Sequence, residues 1–117
     1  MSRANLTTDV RKIKDQLSVI DVHGEINAFA ENTLMDAYTR VTSEGAKTIL
    51  LNFKDLEYMN SSGIGLLVTL LIRVKRQNQR LLACNLGEHY QQIFELTRLN
   101  EAIQIFPDEA QALATVG

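Results

Sequence analysis

The stretch from Thr48 to Lys75 most constrains what this chain can become, because it reads as strand, polar junction and helix in immediate succession. Thr48-Ile49-Leu50-Leu51-Asn52-Phe53 is a short apolar run, the pattern of a strand covered on both faces of a sheet. From Ile64 to Lys75 apolar residues recur at helical spacing with no proline, so a helix is expected to begin close to Ser61 or Ser62. Between the two lies a loop, Asp55-Leu56-Glu57-Tyr58-Met59-Asn60-Ser61-Ser62-Gly63. Asn and Ser are favoured helix caps and Gly63 suits a tight turn, so capping alone accounts for the residue types. The same place has a chemical use. The first N–H groups of a helix lack intrahelical partners and carry the positive end of its dipole, so a phosphate on Ser61 would be well received.

The rest of the chain repeats the alternation. Thr7 to Ile13 fits an edge strand, and Leu17 to Val22 is a stronger strand with apolar residues on both faces, the pair forming a hairpin around Lys14-Asp15-Gln16. Gly24-Glu25-Ile26-Asn27 is expected to break that strand. Ala30, Leu34, Ala37, Tyr38 and Val41 share one face of a helix ending before Gly45. After the second helix, which ends around Gln77-Asn78, come a strand at Leu81 to Asn85 and a helix opened by Gly87 with Tyr90, Ile93, Phe94 and Thr97 on its apolar face. A strand at Ala102 to Phe106 follows the turn at Leu99-Asn100. Pro107 and Asp108 then suit the first turn of a last helix with Ala110, Leu113 and Ala114 inward. This order is α/β: a mixed, mostly parallel sheet of about five strands with about four helices and an early hairpin at one edge.

Length and charge narrow the function. A chain of 117 residues without a linker, repeat or low-complexity tract is expected to form a single domain, residues 1–117. Its 12 lysines and arginines against 14 acids give a net charge of -2, no field for nucleic acid or anionic lipid. The single cysteine, Cys84, forms no internal disulfide and reads as a small buried residue. Met1 to Leu6 lacks a signal-peptide core and no apolar run reaches the roughly 18 residues of a membrane span, so no membrane insertion and a soluble, cytoplasmic protein are expected.

Enzyme chemistry finds little footing. Met59-Asn60-Ser61-Ser62-Gly63 lacks the leading glycine of a nucleophile elbow, and His23 and His89 each stand without a companion acid or second metal ligand. Gly63-Ile64-Gly65 is not completed as a dinucleotide loop, since Val68 occupies the third glycine's place. Arg73, Lys75, Arg76 and Arg80 cluster at the end of the second helix, where cations complement the helix carboxyl terminus, although an acidic partner surface would use them equally. The helix itself is apolar nearly all round in its first half, through Ile64, Leu66, Leu67, Val68, Leu70, Leu71 and Ile72. Such a helix is buried on every side or offers an apolar face to another molecule.

An acidic residue, a spacer and an apolar residue, followed by Asn60-Ser61-Ser62-Gly63-Ile64-Gly65-Leu66-Leu67, resemble the signature of the STAS domain family of anti-sigma factor antagonists. In that family the loop typically reads Asp-Ser-Ser/Thr-Gly before an apolar helix. The order of strands and helices agrees with the STAS fold, and the resemblance covers nearly the whole chain. It implies a regulator rather than an enzyme, with no cofactor and no metal. It further implies a partner switch: the unphosphorylated protein binds an anti-sigma factor that is also a serine kinase and so releases a sigma factor, phosphorylation ends that binding, and a serine phosphatase of the PP2C type restores it. Carried over residue by residue, Ser61 is the phosphorylated serine, with Ser62 the second hydroxyl and the alternative phosphorylation site. Asp55, Asn60, Ser62, Gly63, Ile64 and Leu67 belong to the partner surface. Gly24-Glu25-Ile26-Asn27 is similar to the family's Gly-Glu-Leu-Asp, which adds Glu25 and Asn27 to that surface; a homodimer is compatible with this reading. Asn60 departs from the pattern, standing where phosphorylated antagonists usually carry aspartate. That departure leaves a competing class open: a constitutive STAS interaction subunit of a sensory or lipid-transport complex, working without phosphorylation.

Overall fold

The computed structural model describes residues 5–116; Met1 to Ala4, part of the segment read above as lacking a signal-peptide core, lie outside the described residues. Strands β1 (Leu6–Lys14) and β2 (Leu17–Ile26) form an antiparallel hairpin. Helix α1 (Glu31–Ser43) leads to β3 (Thr48–Met59), α2 (Ser61–Arg76) to β4 (Arg80–Cys84), and α3 (Glu88–Leu96) to β5 (Gln104–Phe106), after which α4 (Glu109–Val116) closes the described chain. The five-stranded sheet runs β1-β2-β3-β4-β5, with β2 to β5 all parallel.

That order decides the layering. Parallel crossovers are almost always right-handed, so a sheet that grows in one direction places every crossover helix on the same face. The main core accordingly gathers Leu34, Tyr38 and Val41 of α1, Leu67, Leu70 and Val74 of α2 and Phe94 of α3 against Ile20, Ile49, Leu51 and Ala83 of the sheet. The opposite face is left to α4, which packs Ala112, with Leu113 and Val116, over Val19, Leu50, Leu82, Cys84 and Phe106. Cys84 is fully buried there, and its thiol is pushed up to about 12 by burial first and then by the charges of Glu109, Asp21 and Asp108.

Several boundaries differ from the expectation for physical reasons. Gly24 does not break β2: it takes φ +101° at a register shift, and Ile26 still pairs with Met59 beyond it. β3 runs to Met59 instead of ending at Phe53, because the lengthened β2 gives it a partner and two register shifts absorb its extra residues. The expected loop is thereby reduced to Asn60. Strand β5 starts at Gln104, since Leu99–Glu101 coil into a 3-10 turn. In α4, Asp108 is the cap, its Oδ1 accepting the Gln111 N–H at 2.8 Å, and Pro107 stands outside the helix; Ala110 and Ala114 are exposed and Ala112 is the inward residue.

A polar network ties α4 to the sheet. The Arg11 guanidinium donates to both carboxylate oxygens of Asp21, at 2.6 and 2.9 Å, and also pairs with Glu109. Asp21 accepts in addition from Asn52 Nδ2 at 3.0 Å. These bonds, Arg11 foremost, hold the Asp21 carboxyl below its usual 3.8. A group with a depressed folded pKa contributes stability that is present above its unfolded pKa and lost as pH falls through the folded one. Asp21→Asn is therefore expected to lower stability at pH 7 by on the order of 1 kcal/mol, a figure discounted because Arg11 is partly open to solvent. It should also flatten the loss of stability below pH 3.8. Urea midpoints measured from pH 2 to pH 7 test this, and parallel wild-type and variant curves would remove Asp21 from the account.

Candidate phosphoacceptor and partner-binding site

The carboxyl ends of the parallel strands and the start of α2 converge at one end of the sheet. Asn60 takes an extended conformation, φ -93° and ψ -175°, as the N-cap of α2. Its Oδ1 accepts the Gly63 N–H at 2.9 Å and its carbonyl accepts the Ile64 N–H at 3.0 Å. Its own N–H reaches the Ile26 carbonyl at 3.3 Å, which fastens the helix start to the end of β2. Ser61 is thus the first residue of α2, and both Ser61 and Ser62 are exposed. Their N–H groups belong to the first turn, ahead of the helix's own hydrogen-bond ladder.

Gly63 makes the close approach possible. A Cβ at this position would lie 2.1 Å from the Ile26 carbonyl oxygen and 2.8 Å from Met59 Cγ. Only a residue without a side chain lets the helix start seat against the end of β2. Asn27 then caps the 3-10 turn Ala28–Ala30, its Oδ1 accepting the Phe29 N–H at 2.9 Å. Phe29 emerges 59% exposed, and Tyr58 at the end of β3 is 53% exposed.

Of the residues picked out from the sequence, Glu25, Asn27, Asn60, Ser61, Ser62, Gly63 and Ile64 meet here, since Glu25 and Ile26 pair with Tyr58 and Met59. Ile64 is half-buried against the main core. Leu67 does not belong to a partner surface: it is 0% exposed and packs in the core, because the inward row of α2 is Gly63, Leu67, Leu70 and Val74. The outward apolar positions are Val68 and Ile72, at 38% and 47%. Asp55 lies within β3, about 13 Å back along the strand from Met59 at ordinary strand rise. Its carboxylate faces His23 Nδ1 at 3.1 Å, while His23 Nε2 faces Asp9 at 3.0 Å, so Asp55 serves the sheet and not the helix start.

Three residues escaped the sequence reading. Phe29, on the 3-10 turn beside α2, and Tyr58, two residues before Asn60, both expose aromatic surface; the signal for Phe29 was an aromatic between two alanines directly after a capping asparagine. Tyr90 of α3 accepts the Met59 N–H at 2.9 Å through its hydroxyl oxygen, beyond the point where β4 stops pairing with β3. No local pattern announces that contact. Tyr90→Phe is expected to leave the fold intact, lower stability by about 1 kcal/mol and speed exchange of the Met59 amide about tenfold. Amide exchange followed by NMR reads both, and an unchanged Met59 rate would mean that the phenol does not hold the strand end.

Comparison with known proteins bears on the family and the fold. The STAS domain profile matches residues 9–112. The chain is 30% identical over 101 residues to the anti-sigma-B factor antagonist of Bacillus subtilis (strain 168), covering 86% of this chain and 91% of that protein. The fold superposes on an anti-sigma factor antagonist from Mycobacterium paratuberculosis with a TM-score of 0.78 at 22% identity, covering 95% and 93% of the two chains. It also superposes on the Bacillus cell fate determinant SpoIIAA in its phosphorylated form with a TM-score of 0.73 at 21% identity, covering 95% and 100%.

Proposed function

From the premise that this chain belongs to the STAS domain family, we propose that it is an anti-sigma factor antagonist working as a partner switch, with Ser61 as the switched residue. In its unphosphorylated form it binds an anti-sigma factor with serine kinase activity and so frees a sigma factor. Phosphorylation of Ser61 ends the binding, and a phosphatase of the PP2C type resets it. The observation that carries this reading is the exposed Ser61 at the first position of a helix capped by Asn60, beside the 3-10 turn that carries the exposed Phe29. Glu25, whose strand position pairs with Tyr58, and Glu57 lie near the same end, so a dianionic phosphate adds to a negative surface that a partner would have to desolvate.

The test compares Ser61→Ala and Ser61→Glu proteins as baits in native lysate. The switch predicts that the Ala form retains an ATP-dependent serine kinase and the Glu form loses it. Capture of the same set by both baits would reduce Ser61 to a helix residue. It would support the second reading, favoured by Asn60 in the place of aspartate, of a constitutive STAS subunit in a sensory or lipid-transport complex.

A further inference from the structure

Ser61 and a basic cluster occupy opposite ends of α2, about 24 Å apart for 16 residues at ordinary helix rise. Arg73, Lys75 and Arg76 are exposed in its last turn, and Arg80, also exposed, opens β4. The Arg80 N–H reaches the Lys47 carbonyl at 2.8 Å, which brings the exposed Lys47 alongside. Among the described residues none of these five cations forms an ion pair. Nor does the helix end need them as caps. The Arg73 carbonyl takes the Gln77 N–H and the Tyr38 hydroxyl, the Val74 carbonyl takes the Gln79 N–H, and the Lys75 carbonyl takes the Asn78 N–H.

The surface there is shaped as well as charged. One depression of about 250 Å³ lies between Tyr38, Arg73, Arg76 and Gln77, and another of about 330 Å³ between Lys75, Arg80, Asn100 and Gln104, where Glu101 is the single acid against two cations. Ile72, 47% exposed, adds an apolar contact one turn before Arg76. We propose that this end of the molecule docks an acidic polypeptide segment, independently of Ser61. Three of the five cations are arginines, whose planar fork pairs with carboxylates bidentately. The amide side chains lining both depressions add hydrogen bonds that a carboxylate-bearing backbone can use. Nucleic acid and membrane fit less well: the five cations gather in one patch at one end of the molecule instead of forming a stripe, and the chain's net charge of -2 supplies no broad basic field for a duplex or an anionic lipid surface.

The experiment titrates the full chain against three probes at 50 mM salt: fluorescein-labelled octaglutamate, a DNA duplex of about 12 base pairs, and phosphatidylglycerol vesicles. Octaglutamate should bind, weaken as salt rises, and lose roughly tenfold or more in affinity with R73E/R76E. The equal charge change K12E/K54E, placed elsewhere, should alter it less than about twofold. Ser61→Glu should leave it unchanged, so that failure of the switch and failure of this site are told apart. Tighter binding of DNA or vesicles than of the peptide, no peptide binding, or equal loss in both double variants each overturns the proposal. If circular dichroism shows R73E/R76E unfolded, R73Q/R76Q takes its place, and undiminished peptide affinity there overturns it equally.

Discussion

Gly63→Ala is expected to destabilise the protein by about 3 kcal/mol or more, although alanine is the better helix former. Two effects oppose each other. Replacing a helical glycine with alanine gains about 1 kcal/mol of intrinsic propensity. Against this, the new Cβ would stand 2.1 Å from the Ile26 carbonyl oxygen and 2.9 Å from its carbon, backbone atoms that cannot rotate away. Either α2 lifts from the end of β2, breaking the Asn60 N–H bond to Ile26, or the end of β2 yields. Gly65 provides the internal control, since a Cβ there meets nothing within 4 Å. Gly65→Ala should gain roughly 0.5–1 kcal/mol. Urea midpoints of the two variants must therefore move in opposite directions; a Gly63→Ala protein as stable as wild type would show that the helix start is not seated as described.

Phosphorylation of Ser61 should have the other large effect, and on binding instead of folding. A phosphate at the start of α2 meets the positive end of the helix dipole and first-turn N–H groups, a favourable placement worth about 0.3–1 kcal/mol. Glu25 and Glu57 at the same end oppose it, so the net change in stability is small and Tm should move by no more than about 4 °C. The partner must instead desolvate a group carrying about -1.5 to -2 charges, and affinity should fall at least about 100-fold. Calorimetry on homogeneous phosphoprotein measures both quantities. A protein that melts on phosphorylation would place the switch in the fold, and one that keeps its affinity would place the interface elsewhere.

Much of this was legible in the chain because the pattern and the packing agree. The Thr48-to-Phe53 run is buried by the neighbouring strands and the helices above it, so its apolar continuity had one reading. Asn60, Ser61 and Gly63 announced a helix start, and the cap stands where those residue types prefer to be. What stayed hidden depends on partners distant in sequence. The extension of β3 to Met59 needs β2 beside it, and residues such as Glu57 and Tyr58 carry no strand pattern of their own strength. Leu67 and Val68 look alike in an all-apolar helix; only the direction of the sheet decides that one is core and the other surface. Tyr90 reaches Met59 across 31 positions of sequence, and Arg11 reaches Glu109 across 98.

The burial of Cys84 beneath α4 has a practical consequence for measurement. Thiol reagents attack the thiolate, and a thiol held at about 12 inside a closed layer offers almost none at neutral pH. Labelling must wait for an opening that uncovers Cys84 from α4, Phe106 and the neighbouring strands. Because the chain has a single cysteine, the labelling rate of the native protein times the opening of this one layer, read without any engineered probe, wherever it exceeds the rate of global unfolding. The eight-residue helix on the sparsely covered face can thus be timed separately from the helices that carry the serine and its surroundings.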